Sequence, residues 1–189
     1  AYATTKTWTL TGGDSTKTVS VKFKDAAGNW SAAASDTIVL DTTKPTISAV
    51  SASGITQTTA MITWTTNETS TSQVDYGLTT SYGSSSPLDA TLVTSHSVAL
   101  SGLTAGTLYH YRVRSKDAVG NEQLSADATF TTTAAADTTP PTGSVTINSG
   151  AAGTNNANVT LTLSATDNSG TVAQMQFSND GTTYSTPEA

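Results

Sequence analysis

Apolar and polar residues alternate along most of this chain with a period of two. In residues 17–25, Val19, Val21 and Phe23 fall on one face and Ser20, Lys22 and Lys24 on the other. Trp8 and Leu10 share a face before them, and a strand near 35–40 brings Ile38 and Leu40 after the turn at 25–29. Further on, Ala60, Ile62 and Trp64 alternate inward, then Val74 and Tyr76, then Val98, Leu100 and Leu103. Tyr109, Tyr111 and Val113 follow, and a last strand near 127–133 carries Phe130. The pattern resumes with Val159, Leu161, Leu163 and Ala165, and with Met175 and Phe177 in 172–178. Period two marks a half-buried antiparallel strand, so the chain is predicted to be all-β.

Two echoes divide it. DTTKPT at 41–46 returns as DTTPPT at 137–142, and KDAAGN at 24–29 returns as KDAVGN at 116–121, spacings of 96 and 92 residues. Proline donates nothing to a sheet ladder and biases its predecessor to extended backbone, so both Pro-containing stretches read as stiff linkers. A period of this length is that of one sandwich domain. Residues 41–136 supply a complete set of strands. Residues 1–40 hold about three strands, too few to bury a core unaided. Residues 137–189 open a further domain and stop inside it. Joined tail to head, the two ends make 93 residues, one period.

A Trp on an early strand, followed by the run LTAGTLYHYRV at 103–113, resembles a fibronectin type III domain. The resemblance covers about half the chain. It implies that Tyr109 forms the tyrosine corner, its hydroxyl bonding back to nearby backbone. Ala105 stands where that family often has proline. MQFSNDG, TWTL and KFKDAAGNWS resemble successive parts of tandem bacterial Ig-like repeats. The expected fold is therefore tandem Ig-like β-sandwiches. One complete fibronectin type III domain (41–136) lies between the C-terminal half (1–40) and the N-terminal half (137–189) of a split Ig-like domain. Residues 1–40 of a neighbouring copy, or of an adjacent repeat in a longer chain, would complete the tail half. Tyr2 and Trp8 lie near that junction.

Composition narrows the partners. Charged residues are 12% of the 189 and the net charge is −6, which argues against nucleic acid and anionic membrane. No run approaches the length of a membrane span. With no cysteine, disulfides, thiolate metal sites and a Cys nucleophile are excluded. The balance suits an extracellular or cell-surface location.

Acidic residues gather where turns meet linkers. Sandwich topology brings Asp41, Glu68, Asp117 and Asn121 to one pole of the central domain. In the split domain it would bring together Asp137 and Asp167 with Asp25 and Asn29 of the completing half. Several carboxylates, an Asn carbonyl and backbone oxygens form the donor set that Ca²⁺ takes. The D-x-x-G-N loop beside an Asp-led linker also resembles adhesins that bind calcium between Ig-like domains. The same Asp and Asn residues cap their own turns without a metal. His96 and His110 show no nucleophile partner, with His110 placed to face solvent, and no catalytic or phosphate-cradling motif occurs. Sequons occur at Asn29, Asn67 and Asn158. Trp30 would serve a glycan platform only with a second aromatic beside it.

The expected function is structural: an extracellular, non-enzymatic repeat unit forming a fibre, stalk or filament, adhesive or spacing, by head-to-tail completion as in donor-strand complementation. The alternative is an accessory spacer of a secreted polysaccharide-degrading enzyme. Flanking sequence separates the two.

Overall fold

The computed structural model describes residues 3–189, so Tyr2 lies outside the described residues. The chain divides into two compact units, the first ending at Ala134 and the second running Ala135–Ala189.

The centre of the first unit is a sandwich built from β3 (Ile47–Ser53), β4 (Thr59–Gly77), β5 (Ser84–Ser85), β6 (Asp89–Ser101), β7 (Leu108–Lys116), β8 (Glu122–Leu124) and β9 (Ala128–Thr131). The long β4 serves both layers. Its first part pairs antiparallel with β3 and β6, while Gln73–Gly77 pairs with β7. β8 and β9 lie on the other edge of β7.

Alternation along these strands delivers the predicted core. Ala60, Ile62, Trp64, Val74, Leu100, Leu103, Tyr109, Tyr111, Val113 and Phe130 are buried, and Tyr76 and Val98 pack against them half-buried. The Trp64 indole N–H donates to Ser115 Oγ at 2.9 Å, which satisfies its one polar atom inside the core. Pro45 of the first linker is fully buried. The linker therefore packs as part of the sandwich.

Before the sandwich, β1 (Ser15–Val21) and β2 (Ala34–Leu40) form a two-stranded antiparallel sheet. Its register is that of β7 and β9. Thr16 faces Val39 as Leu108 faces Thr131, and Lys24 faces Trp30 as Lys116 faces Glu122, each residue shifted by the 92 of the sequence echo. The burial differs. Val21, Phe23 and Ile38 are 47%, 50% and 56% exposed, while Val113, Ser115 and Phe130 at the matching positions are 0%, 0% and 5%. Asp14 holds this sheet to the linker, accepting from the Thr42 N–H, the Thr42 hydroxyl and the Thr43 hydroxyl.

In the second unit β10 (Thr142–Ile147) pairs antiparallel with β11 (Leu161–Thr166). The apolar Val145, Ile147, Leu161 and Leu163 are all exposed. Residues 5–10 and 172–178, predicted as strands from their alternation, are not strands; in the latter only Met175 bridges, to Glu188. A strand needs a continuous ladder beside it; the backbone of residues 172–178 meets that of 185–188 only through the Met175–Glu188 bridge and the Ser185 N–H to Phe177 carbonyl bond.

Candidate functional site

The first linker meets the loop after β7 at one end of the sandwich. A side-chain oxygen from each of Asp41, Glu68 and Asp117 lies within 4.8 Å of the others. Asp41 sits on the linker, Glu68 in the stretch of β4 that passes between layers, and Asp117 just beyond β7. Asp117 is buried, and its role is chiefly to shape the loop. Its Oδ1 accepts from the backbone N–H groups of Val119, Gly120 and Asn121 at 2.7–2.9 Å. Burial pushes the Asp117 carboxyl upward, but the hydrogen bonds from Asn121, Gly120 and Val119 outweigh it and hold it below the usual carboxylate range.

Asn121 is the clasp of this joint. Its Nδ2 donates to Asp117 Oδ2 at 2.7 Å and lies 3.2 and 3.1 Å from the Asp41 and Thr43 carbonyls. The loop thereby grips the linker backbone. Glu68 has the opposite electrostatics: burial first, then the neighbouring Asp41 and Asp117 charges, push its carboxyl above the ordinary value. A cation here would find the Glu68 carboxylate and Asp41, whose Oδ1 already accepts from the Thr43 N–H at 3.1 Å, whereas each Asp117 oxygen accepts hydrogen bonds.

The other predicted site residues divide between the two units. Asp25 and Asn29 belong to the first unit and repeat the loop of Asp117 and Asn121. The Asn29 N–H donates to Asp25 Oδ1 at 2.8 Å, and Asn29 Nδ2 donates to Asp25 Oδ2 at 3.0 Å. Asp137 and Asp167 belong to the second unit, where Asn168 Nδ2 donates to Asp137 Oδ1 at 3.1 Å. The carboxamides of two sequons are also engaged: Asn29 as described, and Asn67 through its Oδ1, which accepts from the Thr46 N–H.

Several contacts escape the sequence. His96 does have hydroxyl partners: its Nδ1 lies 2.8 Å from Ser72 Oγ and its Nε2 2.9 Å from Thr66 Oγ1. The ring stacks on Trp64, centroids 4.8 Å apart and planes within 4°. At 2% exposure it is a satisfied core histidine beyond reach of substrate. His110 is half-buried, with Nδ1 2.8 Å from Asp127 Oδ2. On the outer face, buried Asp75 accepts from Arg112 Nε at 2.9 Å, Arg114 Nη2 at 3.0 Å and the Ser85 hydroxyl at 2.7 Å. The Arg112 guanidinium lies 4.7 Å from the Tyr82 ring centre. Trp30 is 63% exposed, with Lys24 Nζ 5.5 Å from its ring centre.

Comparison with known proteins bears on the sandwich. The family model described as purple acid phosphatase, N-terminal domain, matches residues 45–132. Chitinase A1 of Niallia circulans is 35% identical over 139 residues, covering 69% of this chain and 19% of that protein. Endoglucanase B of Cellulomonas fimi is 38% identical over 144 residues, covering 70% of this chain and 14% of that protein. The chain thus spans less than a fifth of either relative. Among solved structures, the central fibronectin-III array of RIM-binding protein is 25% identical, covering 79% of this chain and 55% of that one, at a TM-score of 0.39. A sensor domain of the anti-sigma factor RsgI4 in Pseudobacteroides cellulosolvens is 20% identical, covering 50% and 100%, at 0.38. The central sandwich is a fibronectin type III-like domain.

Proposed function

We propose that this chain is a non-catalytic accessory module of a secreted polysaccharide-degrading enzyme, spacing and orienting the parts on either side of it. The observation that carries this reading is the pair of curated relatives. Both are named as polysaccharide hydrolases, and the match occupies only a small part of each. The geometry agrees. The buried His96 leaves no exposed nucleophile–base pair there, and the polar side chains described above are spent on loop caps, on the linker and on the Asp75 ion pairs. Such a module contributes stiffness and distance, which the buried Pro45 and the Asn121 clasp supply. An extracellular location belongs to the same reading.

The test is an enlarged reading frame together with an assay. The reading predicts a glycoside hydrolase domain in the parent protein and no release of soluble sugar from chitin or β-glucan by the purified chain. Hydrolysis by the chain alone, or flanks made only of further repeats, would overturn it; repeats alone would favour the fibre.

A second reading concerns the joint. The closeness of Asp41, Glu68 and Asp117 supports a Ca²⁺ ion there, held by Asp41 and Glu68 with backbone oxygens and fixing the linker angle.

A further inference from the structure

The β1–β2 sheet copies the last strands of the central sandwich, yet one neighbour is missing. In the sandwich β7 is flanked by β8 and β9 on one side and by Gln73–Gly77 of β4 on the other. Among the described residues β1 has β2 alone. The residues that correspond to the β4-facing stretch of β7 run from 18 to 22, the last four residues of β1 and Lys22 just beyond it. Apolar Val21 occupies the place of fully buried Val113.

The second unit holds a segment shaped like the missing strand. In β4 the Val74 N–H donates to Ser86 Oγ, and the Ser86 N–H donates to the Val74 carbonyl. Ser86 Oγ donates to the next carbonyl, and Gln73 Nε2 donates to the Ser86 carbonyl at 3.0 Å. The second unit repeats every one of these bonds. The Phe177 N–H donates to Ser185 Oγ, and the Ser185 N–H donates to the Phe177 carbonyl. Ser185 Oγ donates to the Thr186 carbonyl, and Gln176 Nε2 donates to the Ser185 carbonyl at 3.0 Å. Gln176 and Phe177 thus stand where Gln73 and Val74 stand.

We infer that the open edge of β1 is an interaction surface for a second copy of this chain, whose residues 175–178 add to it as an antiparallel strand. The register follows from the sandwich, where Gln73 faces Arg114 and Val74 faces Val113. Transferred, Gln176 faces Lys22 and Phe177 faces Val21. The inward pair, Phe177 with Val21, is apolar. The outward pair sets a neutral amide beside the lysine. Trp8, 71% exposed, falls 92 residues before Leu100, which is buried, so the same completion has a place for it. Each copy carries both the edge and the strand that fits it. The contact is therefore heterologous and joins copies head to tail. This inference is independent of the accessory-module reading, and either can fail while the other stands.

The chain has no cysteine, so crosslinks can be placed at will. The full chain bearing Lys22→Cys and Gln176→Cys, oxidised under native conditions, is expected to give a ladder of disulfide-linked multimers. Disulfides demand close, oriented Cβ atoms, so Lys22→Cys with Gln174→Cys should give roughly tenfold less product. In the unmodified chain, sedimentation mass should rise with concentration. Val21→Asp should abolish that rise while leaving the main thermal transition in place. Only monomeric product, a ladder favouring the 174 variant, or a monomer mass that never rises would overturn the inference.

Discussion

The Tyr109 hydroxyl accepts a hydrogen bond from the backbone N–H of Thr104 at 3.0 Å. This is the tyrosine corner that the run at 103–113 implies. It pins the loop before β7 to the strand itself, and Tyr109 stacks on Phe130 with centroids 5.6 Å apart. Tyr109→Phe keeps the ring and strands the Thr104 N–H. The expected loss is about 1–3 kcal/mol, and each kcal/mol is worth about 4–8 °C of Tm in a domain of this size. A thermal melt followed by near-UV circular dichroism checks it.

Asp75 ties β4 to β7 across the outer face. Burial pushes its carboxyl upward, but hydrogen bonds from Ser85, Arg112 and Arg114 prevail and hold it below the usual range. A depressed acid contributes stability above its unfolded-state value and loses it as pH falls through its folded value. The domain is therefore expected to lose stability on acidification below about pH 4. Asp75→Asn, which takes the anion from Arg112 and leaves Arg114 only Glu122 at 4.0 Å, should cost about 3 kcal/mol at neutral pH and flatten the acid limb. Urea melts across pH measure both.

His96 acts in the next pH window. Burial lowers its pKa, against a smaller opposing pull from Asp89. The fold thus favours the neutral ring, and the stability this brings is present above the ordinary histidine value and declines as pH falls below about 6.5. His96→Gln should remove that slope between pH 7 and 5. An unchanged slope would assign it elsewhere.

The joint separates repulsion from metal binding. Glu68 is raised, so its favourable contribution is present at low pH and lost as pH rises through its folded value. Glu68→Gln in EDTA should raise Tm by roughly 1–3 °C, the scale of one relieved surface repulsion. With calcium about 100-fold above its Kd, the unaltered chain should gain about 2.7 kcal/mol, and the variant less. Equal melts with calcium and with EDTA would remove the metal from the joint.

How much of this was legible in the chain depends on what each residue answers to. Trp64, Val74, Tyr111 and Val113 answer to the alternation of their own strands, so their burial could be read directly. The Asp–Asn loops answer to a local D-x-x-G-N spacing, and both close as expected. Asp75 with Arg112, and His96 with Ser72, answer to register between strands tens of residues apart, which one sequence does not print. Asp14 is a similar case: its acceptors serve Thr42 and Thr43, 28 and 29 residues away. Residues 5–10 and 172–178 have the pattern of strands and form none, because alternation shows which face would be buried but does not supply a full ladder beside it.

A finished sandwich flanked by two sheets with uncovered apolar faces has a distinct exchange signature. Amide hydrogen exchange on the whole chain, read at low and then at high concentration, reads it most directly. In dilute solution strong protection should appear at 59–66, 73–77 and 108–116, with fast exchange at 15–40 and 142–178. Raising the concentration should slow exchange at 18–22 and 175–178. Terminal segments protected in the dilute monomer as strongly as β4 and β7 would show instead that each end is already closed.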